Sequence, residues 1–404
     1  MGTLTTQESA TVERAVQQQG KMFRHMERWA LINSGSRNLS GLAEVGSELA
    51  EEFSALPGKL EMVAPAPVTA IDDAGREYDL AHGKHLHLAV RPDAPLQLLF
   101  TGHMDTVFPK DHPFQALHWI EEGKVLGGPG VADMKGGLAV MLAALRAIEG
   151  DADLASRFGY EVIINSDEEV GSLSSGPLIA RCATGKRAAL TYEPSALPDG
   201  TLAGARGGSG NFSFTVHGKS AHAGRNPRDG RNALVAAADL ALRLKAGMDD
   251  TLSVNPARID GGSPNNVVPD LAILRVNLRP VSTEDQARAE RLLETSAAVV
   301  AKEHDVRIER HGSFARPPKP MTPDMEKLFH LVRNAGRDLG QEIGWRATGG
   351  VCDGNNIAAK KVPVVDTMGV RGGAIHSPDE YMIVESLAER AALSALTISR
   401  MITA

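Results

Sequence analysis

A chain of 404 residues with 42% apolar and 23% charged residues, and 43 Lys+Arg against 50 Asp+Glu for a net charge of −7, is long enough for two folded domains. This composition excludes a disordered, collagenous or disulfide-stapled chain, since Cys182 and Cys352 are the only cysteines. A mildly acidic surface without a Lys/Arg run argues against nucleic acid or an anionic membrane as partner and favours a small-molecule substrate.

The stretch Met1 to Gly20 carries Glu8, Glu13, Arg14 and four glutamines. It therefore lacks the roughly 7–15-residue apolar core of a secretory leader. The apolar run Leu138 to Leu145 is far shorter than the ~20 residues that cross a bilayer. With so few cysteines, the expected compartment is the cytoplasm.

Residues 10–55 are predicted as two helices, after which strands alternate with helices in the pattern of a mainly parallel sheet. Lys84 to Val90 is predicted as an edge strand, and its His85-Leu-His87 pair, without acids nearby in sequence, as solvent-facing. Leu96 to Phe100 is a buried strand leading to His103. Met134 to Ile148 is a helix with Leu138, Met141, Leu142 and Leu145 at helical spacing and Asp133 as its expected N-cap. The strands Tyr160 to Ile164 and Ala188 to Tyr192 each run into acidic residues.

From about Gly204 the texture changes. Phe212 to Val216 alternates strictly, a helix spans Arg231 to Met248, and strands cover Leu252 to Ile259 and Leu271 to Val276. A helix from Glu284 to Lys302 and a strand from Val306 to Arg310 complete a β, α, β, β, α, β order, the signature of a small antiparallel sheet with two helices on one face. The expected fold is α/β: a mainly parallel-sheet catalytic domain over 1–204 and 317–404, with an inserted α+β, ferredoxin-like domain over 205–316. Arg316-Pro-Pro-Lys-Pro320 is the expected return linker, followed by helices over 324–338 and 384–402, with the strand Pro363 to Met368 before His376.

Chemistry-bearing residues fall where open α/β sheets bind ligands, beyond the carboxyl ends of strands. His103 and Asp105 follow one strand, Glu168 and Glu169 another, and Glu193 a third; Asp133 precedes a helix and His376 comes late in the chain. In an extended chain i and i+2 share a side, so Asp105 can hold one nitrogen of His103 while the other faces a metal. Two His, three carboxylates and a spare carboxylate are the inventory of a dinuclear hydrolase in which Zn²⁺ activates water and polarises a carbonyl. Spacing alone leaves open which of Glu168 and Glu169 is the base. Cys352 beside Asp353 has no His near it in sequence and is not read as a nucleophile, and His112 and His118 lack a metal-site context.

These motifs resemble the aminoacylase, carboxypeptidase G and acetylornithine deacetylase family of dinuclear zinc amidohydrolases. The matches are Gly102-His103-Met-Asp105-Thr106, Gly128-Pro-Gly-Val-Ala-Asp133-Met-Lys-Gly-Gly137, Asp167-Glu168-Glu169-Val-Gly171 and Glu193-Pro194, then Gly218-Lys-Ser-Ala-His222-Ala-Gly224, Gly261-Gly-Ser-Pro-Asn265-Asn-Val-Val-Pro269 and Ile375-His376-Ser377. The resemblance implies two Zn²⁺ per subunit, with Co²⁺ or Mn²⁺ as substitutes. Asp133 would bridge them, His103 and Glu193 would complete one site, and Glu169 and His376 the other. Asp105 would orient His103, and Glu168 would be the base. It also implies a homodimer formed through the inserted domain, with His222 reaching the partner's site to stabilise an oxyanion, and with Asn265 and nearby Arg279 gripping a substrate carboxylate. Cys352 stands where that family has Ser or Thr in its substrate loop. Thr201 stands where the glutamate-releasing members have Lys, so the resemblance does not carry strict glutamate preference.

The expected function is hydrolysis of the amide bond of an N-acyl or peptidyl amino acid with a free carboxylate. The alternatives are a di- or tripeptidase reading the substrate amino terminus, and a non-catalytic metal- or small-molecule-binding protein of the same fold. Glu168 beside a full ligand set argues against the last, because a binder has no use for a base.

Overall fold

The computed structural model describes residues 4–403; Met1–Thr3 and Ala404, the extremes of the expected catalytic unit, lie outside the described residues. Ten strands carry the fold: β1 (Lys59–Val63), β2 (His85–Val90), β3 (Gln97–His103), β4 (Gly159–Asn165), β5 (Ala188–Thr191), β6 (Ser209–His217), β7 (Leu252–Gly261), β8 (Leu271–Pro280), β9 (Arg307–Arg316) and β10 (Val364–Val365). Six of them form a central sheet in the order β1-β2-β4-β3-β5-β10. β3 runs parallel to β4 and β5, and β5 parallel to β10, while β2 is antiparallel to both β1 and β4. The fold is thus α/β with a mainly parallel central sheet.

β3 lies inside this sheet, and Leu98 to His103 is a continuous buried run without alternation, the pattern of a strand covered on both faces. Helix Gly136–Glu149 buries every residue except Arg146 and Glu149. It packs against helices Thr6–Val16, Gln19–Ala30 and Ser386–Thr403, so no face is left to be polar. The N-terminal region holds three helices rather than the two expected, the third being Leu39–Phe53. The additional break falls at Gln17–Gln18, residues of good helix propensity that give no stop signal.

Two other expectations are corrected. β2 is not an edge strand: β1 pairs outside it, and His85 and His87 are buried, at 0% and 8% exposure. The expected strand Pro363 to Met368 is only the short β10.

β6 to β9 form a separate antiparallel sheet in the order β7-β8-β6-β9, covered on one face by helices Ala233–Ala246 and Thr283–His304. Phe212, Phe214, Val216, Leu240, Leu274 and Leu293 form its own core, distinct from that of the larger sheet. The return segment after β9 is not the open linker expected. Arg206 and Lys319 exchange main-chain hydrogen bonds of 2.9 Å, and Arg316 and Lys319 are 2% and 0% exposed. Burial of these cations is tolerated because each meets a carboxylate: Lys319 Nζ lies 2.9 Å from Asp366, and Arg316 binds Glu168 and Asp353.

Candidate metal centre

His103, the last residue of β3, is 1% exposed. Its Nδ1 lies 3.0 Å from the main-chain oxygen of Asp105 and 3.4 Å from that residue's Oδ1. Asp105 does more than face His103. Its carboxylate accepts from Ser36 Oγ (2.7 Å) and from the N–H groups of Glu168 (3.1 Å) and Glu169 (3.2 Å), so it ties the turn after β4 to the end of β3. Nε2 of His103 is thereby aimed forward, at Asp133 Oδ1 (3.1 Å) and Glu193 Oε2 (3.6 Å).

Asp133 is not the helix N-cap expected from the sequence, because the helix begins three residues later at Gly136. The residue sits in an irregular turn (φ −115°, ψ 88°) entered through Gly130 at φ 72°. Buried Glu380 shapes this turn by accepting from the N–H groups of Gly130 (3.2 Å), Ala132 (3.0 Å) and Asp133 (3.1 Å). Gly137 lets the helix start pack on the end of β5, since a Cβ there would stand 2.0 Å from the Tyr192 oxygen. The carboxylate of Asp133 consequently lies between two groups. Its Oδ1 meets His103, and its Oδ2 lies 3.2 Å from His376 Nε2, which is also 3.2 Å from Glu169 Oε2. His376 is supplied by the turn between the short strands Gly372–Gly373 and Tyr381–Ile383 of a second antiparallel sheet, not by an end of the central sheet as expected.

Two triplets result, His103–Asp133–Glu193 and Asp133–Glu169–His376, each with ligand atoms within 4.8 Å of one another. Their charges are unbalanced as they stand. Burial pushes the Glu193 carboxyl up to about 7 and the Glu169 carboxyl up to about 8. Hydrogen bonds to Asp133 and Glu169 raise His376 to about 11. Burial also opposes the charge of Asp133, but its bonds to His103 and His376 prevail and hold it below its ordinary range. Glu193 Oε1 is buried without a hydrogen-bond partner among the described residues. An orphaned carboxylate oxygen among imidazoles and further carboxylates is the donor set that divalent cations satisfy, so the residues fit a metal.

Glu168 stands beside the triplets, 9% exposed, with Oε1 accepting from Arg316 Nη2 at 2.6 Å. Burial pushes its carboxyl well above the ordinary range, against the pull of the Arg316 guanidinium. Nη1 of Arg316 is anchored on Asp353.

The remaining expected residues belong to the segment that carries the smaller sheet, Arg279 on a strand and His222 and Asn265 in the connections between strands. Arg279 is exposed at the end of β8, donating from Nη1 to the Gly349 oxygen at 3.4 Å. This is the end at which Ser209 pairs with Arg316, next to Glu168. His222 is exposed and pairs with Val267, which places it beside the Asn265 loop. Asn265 and Arg279 are not neighbours, contrary to expectation. Gly261 pairs with Ala272 and Ser253 with Arg279, so the Asn265 loop leaves the opposite end of β8, about 23 Å away along the strand. Within one chain His222 and Asn265 are not brought to the triplets.

A family model described as peptidase family M20/M25/M40 matches residues 99–400. The chain belongs to this family. It is similar to carboxypeptidase G2 of Pseudomonas sp. (strain RS-16), at 30% identity over 395 residues covering 96% of this chain and 90% of that protein. It is also similar to succinyl-diaminopimelate desuccinylase 1 of Alteromonas mediterranea, at 31% identity over 323 residues covering 72% and 79%. A tripeptidase structure from Staphylococcus aureus shares its fold, with TM-score 0.70 and 23% identity over 95% of this chain and 98% of that one. The M20 chain is a metal-dependent hydrolase acting on amide or peptide bonds. Among its described residues no helix is long and apolar enough to cross a membrane.

Sequence reasoning missed two residues that shape this M20 site, Arg316 and Glu380. Arg316 resembled part of a linker, and the only sign of Glu380 was an acid four residues after His376. Glu380→Gln would set an amide NH₂ against backbone donors that now share a carboxylate. Loss of such an outer partner costs about 10–100-fold in metal affinity or activity. The expected result is weaker metal binding by that factor in competition with a chelator; unchanged affinity would mean that Glu380 serves the fold alone.

Proposed function

We propose that this M20 enzyme is a cytoplasmic homodimeric dizinc hydrolase that cleaves the amide bond of N-acyl or peptidyl amino acids bearing a free carboxylate. The observation that carries this reading is Asp133, which presents one oxygen to the His103–Glu193 pair and the other to the Glu169–His376 pair. In this reading His103, Asp133 and Glu193 would hold one ion and Asp133, Glu169 and His376 the other, while Asp105 positions His103. Imidazole with carboxylate suits Zn²⁺, with Co²⁺ or Mn²⁺ as substitutes.

When bound, such an ion pair supplies Lewis-acid polarisation of the scissile carbonyl and a water of lowered pKa. Glu168 takes the proton of the attacking water at Oε2, the oxygen not engaged by Arg316, and returns it to the amine nitrogen as the C–N bond breaks. The partner subunit's His222 donates to the oxygen on which negative charge gathers. Its Nδ1 accepts from the N–H groups of Gly224 (3.1 Å) and Arg225 (3.2 Å), which leaves the proton on Nε2 as the outward donor. Asn265, on the adjoining loop, enters the same partner site. Arg279, at the opposite end of the sheet, serves its own site by gripping the substrate carboxylate.

The division into a catalytic unit (1–204 and 317–404) and an inserted dimerisation unit (205–316) rests on the two separate cores. Leu234, Val235 and Leu242, exposed on helix Ala233–Ala246 beside edge strand β7, support pairing through the inserted unit. The unpaired, buried Cys182 and Cys352 fit a reducing compartment.

A panel of N-acyl amino acids, the same compounds amidated at the carboxylate, and tripeptides tests the substrate class. Free acids should be cleaved and their amides discriminated against. Arg279→Lys should lower kcat/KM on the free acids by about tenfold to a hundredfold, because Lys keeps the charge but gives up one of the two parallel charge-assisted bonds, worth about 1.5–3 kcal/mol. Equal cleavage of acids and amides would transfer the assignment to a peptidase that reads the amino terminus.

A further inference from the structure

His87, buried in β2, stands in a second cluster of ligand-type side chains. Its Nε2 lies 2.5 Å from Glu161 Oε2 and 3.7 Å from Cys182 Sγ, and one ligand atom of each of the three falls within 4.8 Å of the others. The residues come from β2, β4 and helix Gly176–Ala183. In the antiparallel register His87 faces Ile163 and Ala89 faces Glu161, so His87 and Glu161 are diagonal neighbours on one face of the sheet. The helix lays Cys182 over them.

The outer atoms of the cluster are held from behind. Glu161 Oε1 pairs with Lys186 Nζ at 2.7 Å, and His87 Nδ1 lies 3.4 Å from Glu61 Oε1. This leaves His87 Nε2, Glu161 Oε2 and Cys182 Sγ converging on one point, the arrangement of metal ligands whose far sides are fixed by acidic or basic partners. His87 and Cys182 are buried, while the Glu161 side chain keeps 20% of its surface, which provides an entry path. The cluster is separate from the catalytic triplets, since Glu161 lies four residues before the end of β4, about 13 Å along the strand.

We propose that His87, Glu161 and Cys182 form a third metal site, taking one zinc-class ion with water as its fourth ligand. A thiolate with an imidazole and a carboxylate selects Zn²⁺ over Mg²⁺, Ca²⁺ and Mn²⁺, which prefer oxygen donors. Binding releases the Cys182 proton to solvent, and the two negative ligands neutralise the ion in a buried place. Without a cation, burial and the neighbouring Glu161 push the Cys182 thiol up to about 12, so the free cluster holds it as S–H. The ion clips two strands to the helix that follows the Glu168–Glu169 turn, a structural role independent of the catalytic reading.

Cobalt substitution tests this, because the catalytic donors are nitrogen and oxygen only. Cobalt-loaded Cys352→Ser protein should show thiolate-to-cobalt charge-transfer absorption in the near ultraviolet, which only Cys182 can then supply. His87→Gln and Cys182→Ser should abolish the band, lower the bound zinc from three ions per chain to two, and leave kcat/KM unchanged. Absence of the band in Cys352→Ser protein overturns the proposal whatever the metal count, and needs no variant within the cluster. A band that survives Cys182→Ser overturns it equally. A dead enzyme that retains the band would refute the function proposed above and leave this site standing.

Discussion

Glu168→Gln is expected to keep the metal content of the enzyme and to lower kcat by at least about a hundredfold, since a positioned proton acceptor contributes about 10²–10⁴. The amide has the shape of the carboxylate, and its oxygen can still accept from Arg316 Nη2, so the turn after β4 should hold its place. What is lost is the capacity to take a proton at the second oxygen. Glu169→Gln should behave differently, because Glu169 Oε2 lies 3.2 Å from His376 Nε2 in the second triplet, and its loss should appear as metal loss. Metal analysis beside steady-state kinetics reads both. A Glu168→Gln protein depleted of metal, or a metal-replete but dead Glu169→Gln protein, would exchange the two roles.

His222→Ala is expected to lower kcat by about 10²–10³, the usual cost of removing one oxyanion donor. That loss should be repaired by mixing with Glu168→Gln subunits. In a hybrid dimer one site keeps its own Glu168 and receives the partner subunit's intact His222, while the other site has neither. The basis is geometric. Arg279 and Arg316 mark the end of the inserted sheet that abuts their own chain's Glu168, whereas His222 and the Asn265 loop lie at the opposite end. Activity appearing on mixing, with subunit exchange followed by mass spectrometry, reads the outcome. Exchange without recovered activity would end the role across the dimer.

The sequence by itself determined what is local. Apolar runs ending in His103, Glu168–Glu169 and Glu193 revealed buried strands that deliver donors at their carboxyl ends, because a strand enclosed on both faces has no polar alternation. The β, α, β, β, α, β order of the inserted sheet was equally legible from its alternation, and the spacing of the motifs pointed to the family. Only the tertiary structure decided what depends on remote partners. Glu380 shapes the Asp133 turn from 247 residues away, and Arg316 reaches Glu168 across 148, so neither contact leaves a periodicity to read. Whether His87 faces solvent depended on the helix that lays Cys182 over it and on β1, whose half-buried residues give a weak signal, lying outside β2. Asn265 and Arg279, close to neighbouring strands in sequence, were separated by register: an antiparallel pair sends its connecting loop and its free ends to opposite ends of the sheet. Hydrophobic pattern fixes which face of an element is buried, but which elements lie beside one another, and in what register, is settled by packing the whole chain.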